Sequence, residues 1–72
     1  MTLAEVAVGT SAQVSRITGS GPVRRRIMDM GITKGVQVHV AKVAPLGDPI
    51  QMTVRGYDLS LRREDARMIE VM

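Results

Sequence analysis

The chain has 72 residues, and ten Lys and Arg against seven Asp and Glu give a net charge of +3, which permits contact with nucleic acid or an anionic surface without requiring it. It has no cysteine, which excludes disulfides and thiolate metal sites; no apolar run approaches the roughly 20 residues of a membrane span, and no signal-peptide pattern opens the sequence. What remains is one small domain over residues 1–72, expected to be soluble and cytosolic, with an aliphatic core and Tyr57 as the sole aromatic residue.

Thr2-Leu3-Ala4-Glu5 has the spacing of a capping box, and only one helical turn fits before Gly9. Ser11 to Ile17 reads as a first strand with Ala12 and Val14 inward, and its alternation fails at Arg16-Ile17. Gly19-Ser20-Gly21 leads into a helix with Pro22 in its first turn. From Val23 to Met30 the apolar residues fall at 23, 27 and 30, which is helical spacing. Arg24, Arg25, Met28 and Asp29 lie off that stripe. Gly31 is expected to end the helix as a left-handed residue, with Ile32 contacting Ile27.

Val36, Val38 and Val40 alternate with Gln37, His39 and Ala41, the strongest strand signal in the chain. The phase slips near Lys42-Val43, which predicts a bulge or sharp bend. Ala44-Pro45-Leu46-Gly47-Asp48-Pro49 is a structured loop, since its prolines donate no ladder hydrogen bond. Ile50, Met52 and Val54 form one face of the next strand. Arg55-Gly56 is a link of hairpin length, with a positive φ expected at Gly56. Tyr57, Leu59 and Leu61 then form the inward face of a fourth strand. Arg62 to Ala66 reads as a single helical turn, and Met68 to Val71 as a closing strand with Ile69 and Val71 on one side.

The fold class is therefore mainly β: a small five-stranded barrel, closed or nearly so, with one short helix between the first and second strands. Val38, Val40, Met52, Val54, Leu59 and Ile69 are expected to be buried together.

Three stretches carry a family resemblance: Arg26-Ile27-Met28-Asp29-Met30-Gly31-Ile32-Thr33, followed after one residue by Gly35; Val43 through Ile50; and Val54-Arg55-Gly56-Tyr57 with Leu59-Ser60-Leu61-Arg62. With the opening Leu3-Ala4-Glu5-Val6, they make the whole chain similar to the FeoA family. The resemblance implies a small cytosolic SH3-like barrel that accompanies the FeoB ferrous iron transporter in bacteria. A related domain ends some metal-dependent repressors. With no DNA-binding segment ahead of it here, the stand-alone transporter accessory is the expected match.

No catalytic site is expected. There is one histidine, and no base and nucleophile can be paired around it. His39 stands on the polar phase of its strand and reads as a solvated residue. Ferrous iron sites draw on several imidazole or carboxylate ligands, and one His with scattered acids supplies no such cluster, so neither a metal nor a cofactor site is expected. Glu64-Asp65 reads as a helix-turn pair beside Arg62 and Arg63. Gly19-Ser20-Gly21 ahead of Arg24, Arg25 and Arg26 has the look of a phosphate cradle, but no Gly-Lys-Ser/Thr follows it, and a helix with a solvated basic face explains it more simply.

Leu46 at the loop tip either folds back onto the core or stands out as an apolar anchor stiffened by its two prolines. Met28, on the outer side of the helix, suits an adaptable contact surface. A partner-binding surface is therefore expected from the helix and the loop, with Met28 and Leu46 as anchors and Arg24, Arg25 and Asp48 as a polar rim. Two functions follow. One is a non-enzymatic module that binds the cytosolic part of an FeoB-type transporter. The other is a small basic barrel that binds RNA or DNA, against which stands the lack of aromatic stacking residues beyond Tyr57.

Overall fold

In a computed structural model that describes residues 1–72, the alternating runs become one antiparallel sheet. Its strands are β1 (Ser11–Ile17), β2 (Gln37–Val43), β3 (Ile50–Val54), β4 (Tyr57–Leu61) and β5 (Ile69–Val71). They run in the order β4-β3-β2-β1-β5. A 3₁₀ turn (Leu3–Glu5) precedes β1, helix α1 (Gly21–Asp29) joins β1 to β2, and helix α2 (Arg63–Ala66) joins β4 to β5.

Two register shifts curl the sheet, one between Val14 and Arg16 and one between Val40 and Lys42. Each sits at or beside a place where the alternation of the sequence fails, because an extra residue reverses the inward phase and bends the strand. The first lets β1 serve two neighbours. Its Ser11–Gln13 half pairs with β2, and its Val14–Ile17 half pairs with β5.

The β3–β4 hairpin closes on two residues. Val54 pairs with Tyr57, and both linking residues have positive φ, 51° at Arg55 and 87° at Gly56. That is the signature of a type I′ turn, whose twist matches the strands it joins. Gly56 behaves as expected. The left-handed Arg55 is an addition, since its side chain gives no hint of that conformation.

β4 and β5 are the two edges of the sheet. The β5 edge is covered by the chain start: Thr2 bridges Glu70, and the Val71 N–H donates to the Met1 carbonyl at 2.8 Å. β4 is a short edge with polar Asp58 and Ser60 facing out, a composition that discourages strand addition.

The core is aliphatic. Leu3, Val14, Ile27, Ile32, Val38, Val40, Ile50, Met52, Val54, Leu61 and Ile69 are buried around Ala66. Five of the six residues expected at its centre are there. Leu59 is the correction: it is only half-buried, and Leu61 takes the deep position. Tyr57 at the other end of β4 is 52% exposed. All three share one face, but β4 has no strand on its outer side, so burial falls along its length from the α2 end to the hairpin.

α1 starts at Gly21, two residues before its apolar stripe, with Ser20 as N-cap and Pro22 in the first turn. It stops as expected. Gly31 has φ 92°, its N–H donates to the Met28 carbonyl at 3.0 Å, and the Ile32 N–H reaches the Ile27 carbonyl at 3.4 Å. This pair of bonds is a Schellman motif, and it buries Ile32 beside Ile27. No helix is long and apolar enough to cross a membrane.

Candidate functional site

Val23, Ile27 and Met30 turn one side of α1 to the core. That fixes what the other side shows. Arg24 and Met28 stand one above the other at i,i+4 spacing, with Arg25 and Asp29 next to them around a shallow depression that Gly21 completes. Met28 is 41% exposed. Neither Arg24 nor Arg25 forms an ion pair.

Arg26 lies about 200° around the helix from Met28 and does something different. Its Nη2 donates to Asp65 Oδ2 at 2.9 Å, joining α1 to α2. The Asp65 side chain is 8% exposed and that of Arg26 is 56% exposed, so a buried carboxylate is met by a guanidinium at the surface. The basic run of the sequence therefore divides: two arginines face solvent and the third is a cross-link. Glu64 and Asp65 both lie in the helical turn α2 as expected, and the Glu64 carboxylate is 3.9 Å from Arg62 at the surface.

Of Gly19-Ser20-Gly21, only Gly19 packs, while Ser20 and Gly21 are exposed. A Cβ on Gly19 would stand 2.8 Å from the Met68 sulfur. Both the N–H and the hydroxyl of Thr18 donate to the Met68 carbonyl, at 2.6 and 3.0 Å. Thr18 and Gly19 are thus held against Met68, just ahead of β5.

The loop is ordered by its own bonds and by one arginine. The Gly47 N–H donates to the Ala44 carbonyl at 2.7 Å, and the Ala44 N–H to the Pro49 carbonyl at 3.1 Å. Arg63 Nε donates to the Gly47 carbonyl at 2.8 Å, and its Nη1 to the Ala4 carbonyl at 3.0 Å. The Arg63 N–H donates to Asp48 Oδ1 at 2.9 Å, so Asp48 satisfies a free donor at the start of α2. Within this frame Leu46 projects from the tip with 96% exposure. Of the two readings of Leu46, the exposed one describes the structure.

The five expected surface residues thus fall into two groups. Arg24, Arg25 and Met28 share the outer side of α1. Leu46 and Asp48 share the loop, which is hydrogen-bonded to Arg63 of α2 and not to α1, the same arginine reaching on to the 3₁₀ turn at Ala4. Arg63 and the Arg26–Asp65 pair were not anticipated. For Arg63 the sequence holds no signal, since its partners are backbone carbonyls distant in the chain. Asp65 likewise carries no local signal, since its partner Arg26 is 39 residues away in the chain.

His39 lies on the exposed face of β2, with Nδ1 2.9 Å from the hydroxyl of Ser11, its cross-strand partner. Four of the acidic side chains accept hydrogen bonds from within the chain. Glu5 accepts the Thr2 N–H at 2.6 Å, Asp58 accepts the Thr53 hydroxyl at 3.1 Å, and Asp48 and Asp65 are engaged as described. No three His, Asp or Glu residues gather where a metal ion would sit.

Known proteins share this arrangement. A family model described as FeoA domain matches residues 1–72. A fusion protein of Porphyromonas gingivalis, Fe(2+) transport protein A joined to the Fe(2+) transporter FeoB, is 44% identical over 99% of this chain. The chain spans only 8% of that fusion. The solution structure of an FeoA-like protein from Clostridium acetobutylicum superposes with a TM-score of 0.94 at 43% identity, covering 100% of this chain and 84% of that one. The crystal structure of Stenotrophomonas maltophilia FeoA complexed with zinc, described as a procaryotic SH3 domain protein, gives 0.87 at 29% identity, covering 100% and 89%. The five-stranded sheet is thus SH3-like, and the match runs through the helix cap, the loop and the hairpin alike: the chain belongs to the FeoA family.

Proposed function

We propose that this protein is a non-enzymatic accessory of ferrous iron uptake that docks on the cytosolic part of an FeoB-type transporter. The observation that carries this reading is the fusion relative, in which the domain and the transporter form one polypeptide. Linkage holds two modules at high effective concentration, which is useful where they bind each other. The surface supports the same reading. Leu46 is a large apolar side chain in water on a loop already held by Arg63, so binding orders little that is not ordered beforehand. Met28 on α1 is a second apolar contact beside Arg24 and Arg25. A domain of this size offers about 600–800 Å² to a partner, which concentrates affinity in one or two anchors.

A chemical-shift perturbation map with the cytosolic domain of the transporter tests the proposal. Shifts at residues 44–49 and on the outer side of α1 are expected. A map confined to other surfaces, or no binding, overturns it. A parallel titration with generic RNA separates the nucleic-acid reading, which requires tight binding at low salt that weakens steeply as salt rises.

A further inference from the structure

Next to the depression that holds Arg25 lies another of about 300 Å³, lined by Arg16, Ile17, Arg24, Met28 and Lys34. Three elements supply it. Arg16 and Ile17 come from the far half of β1, Arg24 and Met28 from α1, and Lys34 from the turn after the Gly31 cap. That turn is fastened to β1, since the Gly35 N–H donates to the Val14 carbonyl at 2.8 Å and the Gln13 side-chain amide to the Gly35 carbonyl at 3.1 Å. The geometry is built into the fold and does not depend on a free loop.

Its chemistry is one-sided. Its lining combines three cationic side chains with the apolar Ile17 and Met28, and no carboxylate is among them. Two acids stand near its rim without neutralising it: Glu70 is opposite Arg16 in the β1–β5 ladder, and Asp29 lines the neighbouring depression, which shares Arg24 and Met28 with this one, and neither forms an ion pair. Like charges held around one concavity repel, and their field is relieved by an anion from outside. The apolar part of the lining adds a requirement that a bare anion does not meet.

We infer that this depression docks an acidic protein segment, seating one apolar side chain against Ile17 and Met28 while flanking carboxylates meet Arg16, Arg24 and Lys34. The inference rests on the docking reading for the identity of the partner, not for its chemistry. A depression fits a protruding side chain better than it fits a plane of lipid headgroups, and arginine forks match carboxylates two bonds at a time.

The probe is a short synthetic peptide with one Leu flanked on both sides by Glu, titrated into the isotopically labelled domain. Shifts at Ile17, Met28 and Lys34 are expected. Replacing the peptide's Leu by Ser, or its Glu by Lys, is expected to remove most of the binding. The double variant Arg24→Glu, Lys34→Glu is expected to weaken it by about tenfold or more. Both positions are exposed; should that variant fail to fold, Arg24→Gln with Lys34→Gln serves in its place, with a smaller loss. Three results overturn the inference: peptide shifts elsewhere or none at all, inorganic phosphate displacing the peptide at equal charge, or phosphatidylserine vesicles binding in place of the peptide. The assay contains no transporter, so its failure leaves docking through Leu46 standing, and failure of that docking leaves the peptide result standing.

Discussion

Gly31 is held by two constraints of different kind. Its φ of 92° strains any residue with a Cβ, and a Cβ built there would meet the Tyr57 hydroxyl at 2.8 Å. That hydroxyl donates to the Met30 carbonyl at 3.3 Å, so the hairpin tip rests on the end of α1. Gly31→Val is therefore expected to cost about 2–3 kcal/mol in chemical denaturation, chiefly through the backbone term. The steric term is separable. In a Tyr57→Phe background, Gly31→Ala is expected to cost less than in the wild type, by about 0.5 kcal/mol. Strict additivity of the two changes would show that the hydroxyl yields freely and the contact is incidental. Arg55 is the opposite case, a residue in the left-handed region with no structural reason to be arginine. Arg55→Asn should raise stability by about 0.5 kcal/mol, because Asn tolerates the first position of a type I′ turn. An unchanged denaturation midpoint would mean that Arg55 recovers its strain elsewhere.

Elements were legible where one physical rule decides them, and illegible where depth decides. Alternation placed the strands, its slip near Lys42-Val43 pointed to the bulge at Val40–Lys42, and its failure at Arg16-Ile17 lies beside the bulge at Val14–Arg16, which was not itself expected. Helical spacing and Gly31 placed α1. Alternation names a face but not how far that face is covered, and β4 shows the difference: Leu61 is 2% exposed and Tyr57 52%, with Leu59 between them. The expected energetics change accordingly. Val38 is fully buried, so Val38→Ala should cost about 2–3 kcal/mol by lost transfer energy and an unfilled cavity. Leu59→Ala removes more atoms yet should cost only about 1 kcal/mol, because water already reaches the site. Equal losses for the two variants would place Leu59 in the core after all. The surface followed the same division. Leu46 was legible as a loop tip and Met28 as a residue off the apolar stripe. The Arg63 bonds that hold the loop join residues 4, 47 and 63, and no local pattern encodes a contact of that span.

At the scale of the molecule, Arg63 and Leu46 divide one task. Arg63 fastens the loop to the 3₁₀ turn at Ala4 and to α2, and Leu46 stands free at the end of what it fastens. Leu46→Ala removes a side chain that touches little of its own protein, so stability should stay within about 0.5 kcal/mol of wild type. Its effect belongs to the complex, where dissociation from the transporter domain should quicken by about tenfold. Arg63→Ala should do the reverse in order of cause. It gives up two charge-assisted bonds, costs about 2 kcal/mol, and leaves the Asp48 bond to the Arg63 N–H in place because that donor is backbone. The loop then loosens without detaching, which amide exchange at Gly47 would register as faster opening. Binding weakens because Leu46 must be ordered at the moment of contact. If the two residues act in this sequence, Arg63→Ala adds little further loss of binding once Leu46 is Ala, since a loop without its anchor has nothing left to present. Independent, additive losses in binding would separate the arginine from the presentation of Leu46, and wild-type dissociation by a folded Leu46→Ala protein would move the docking surface away from the loop.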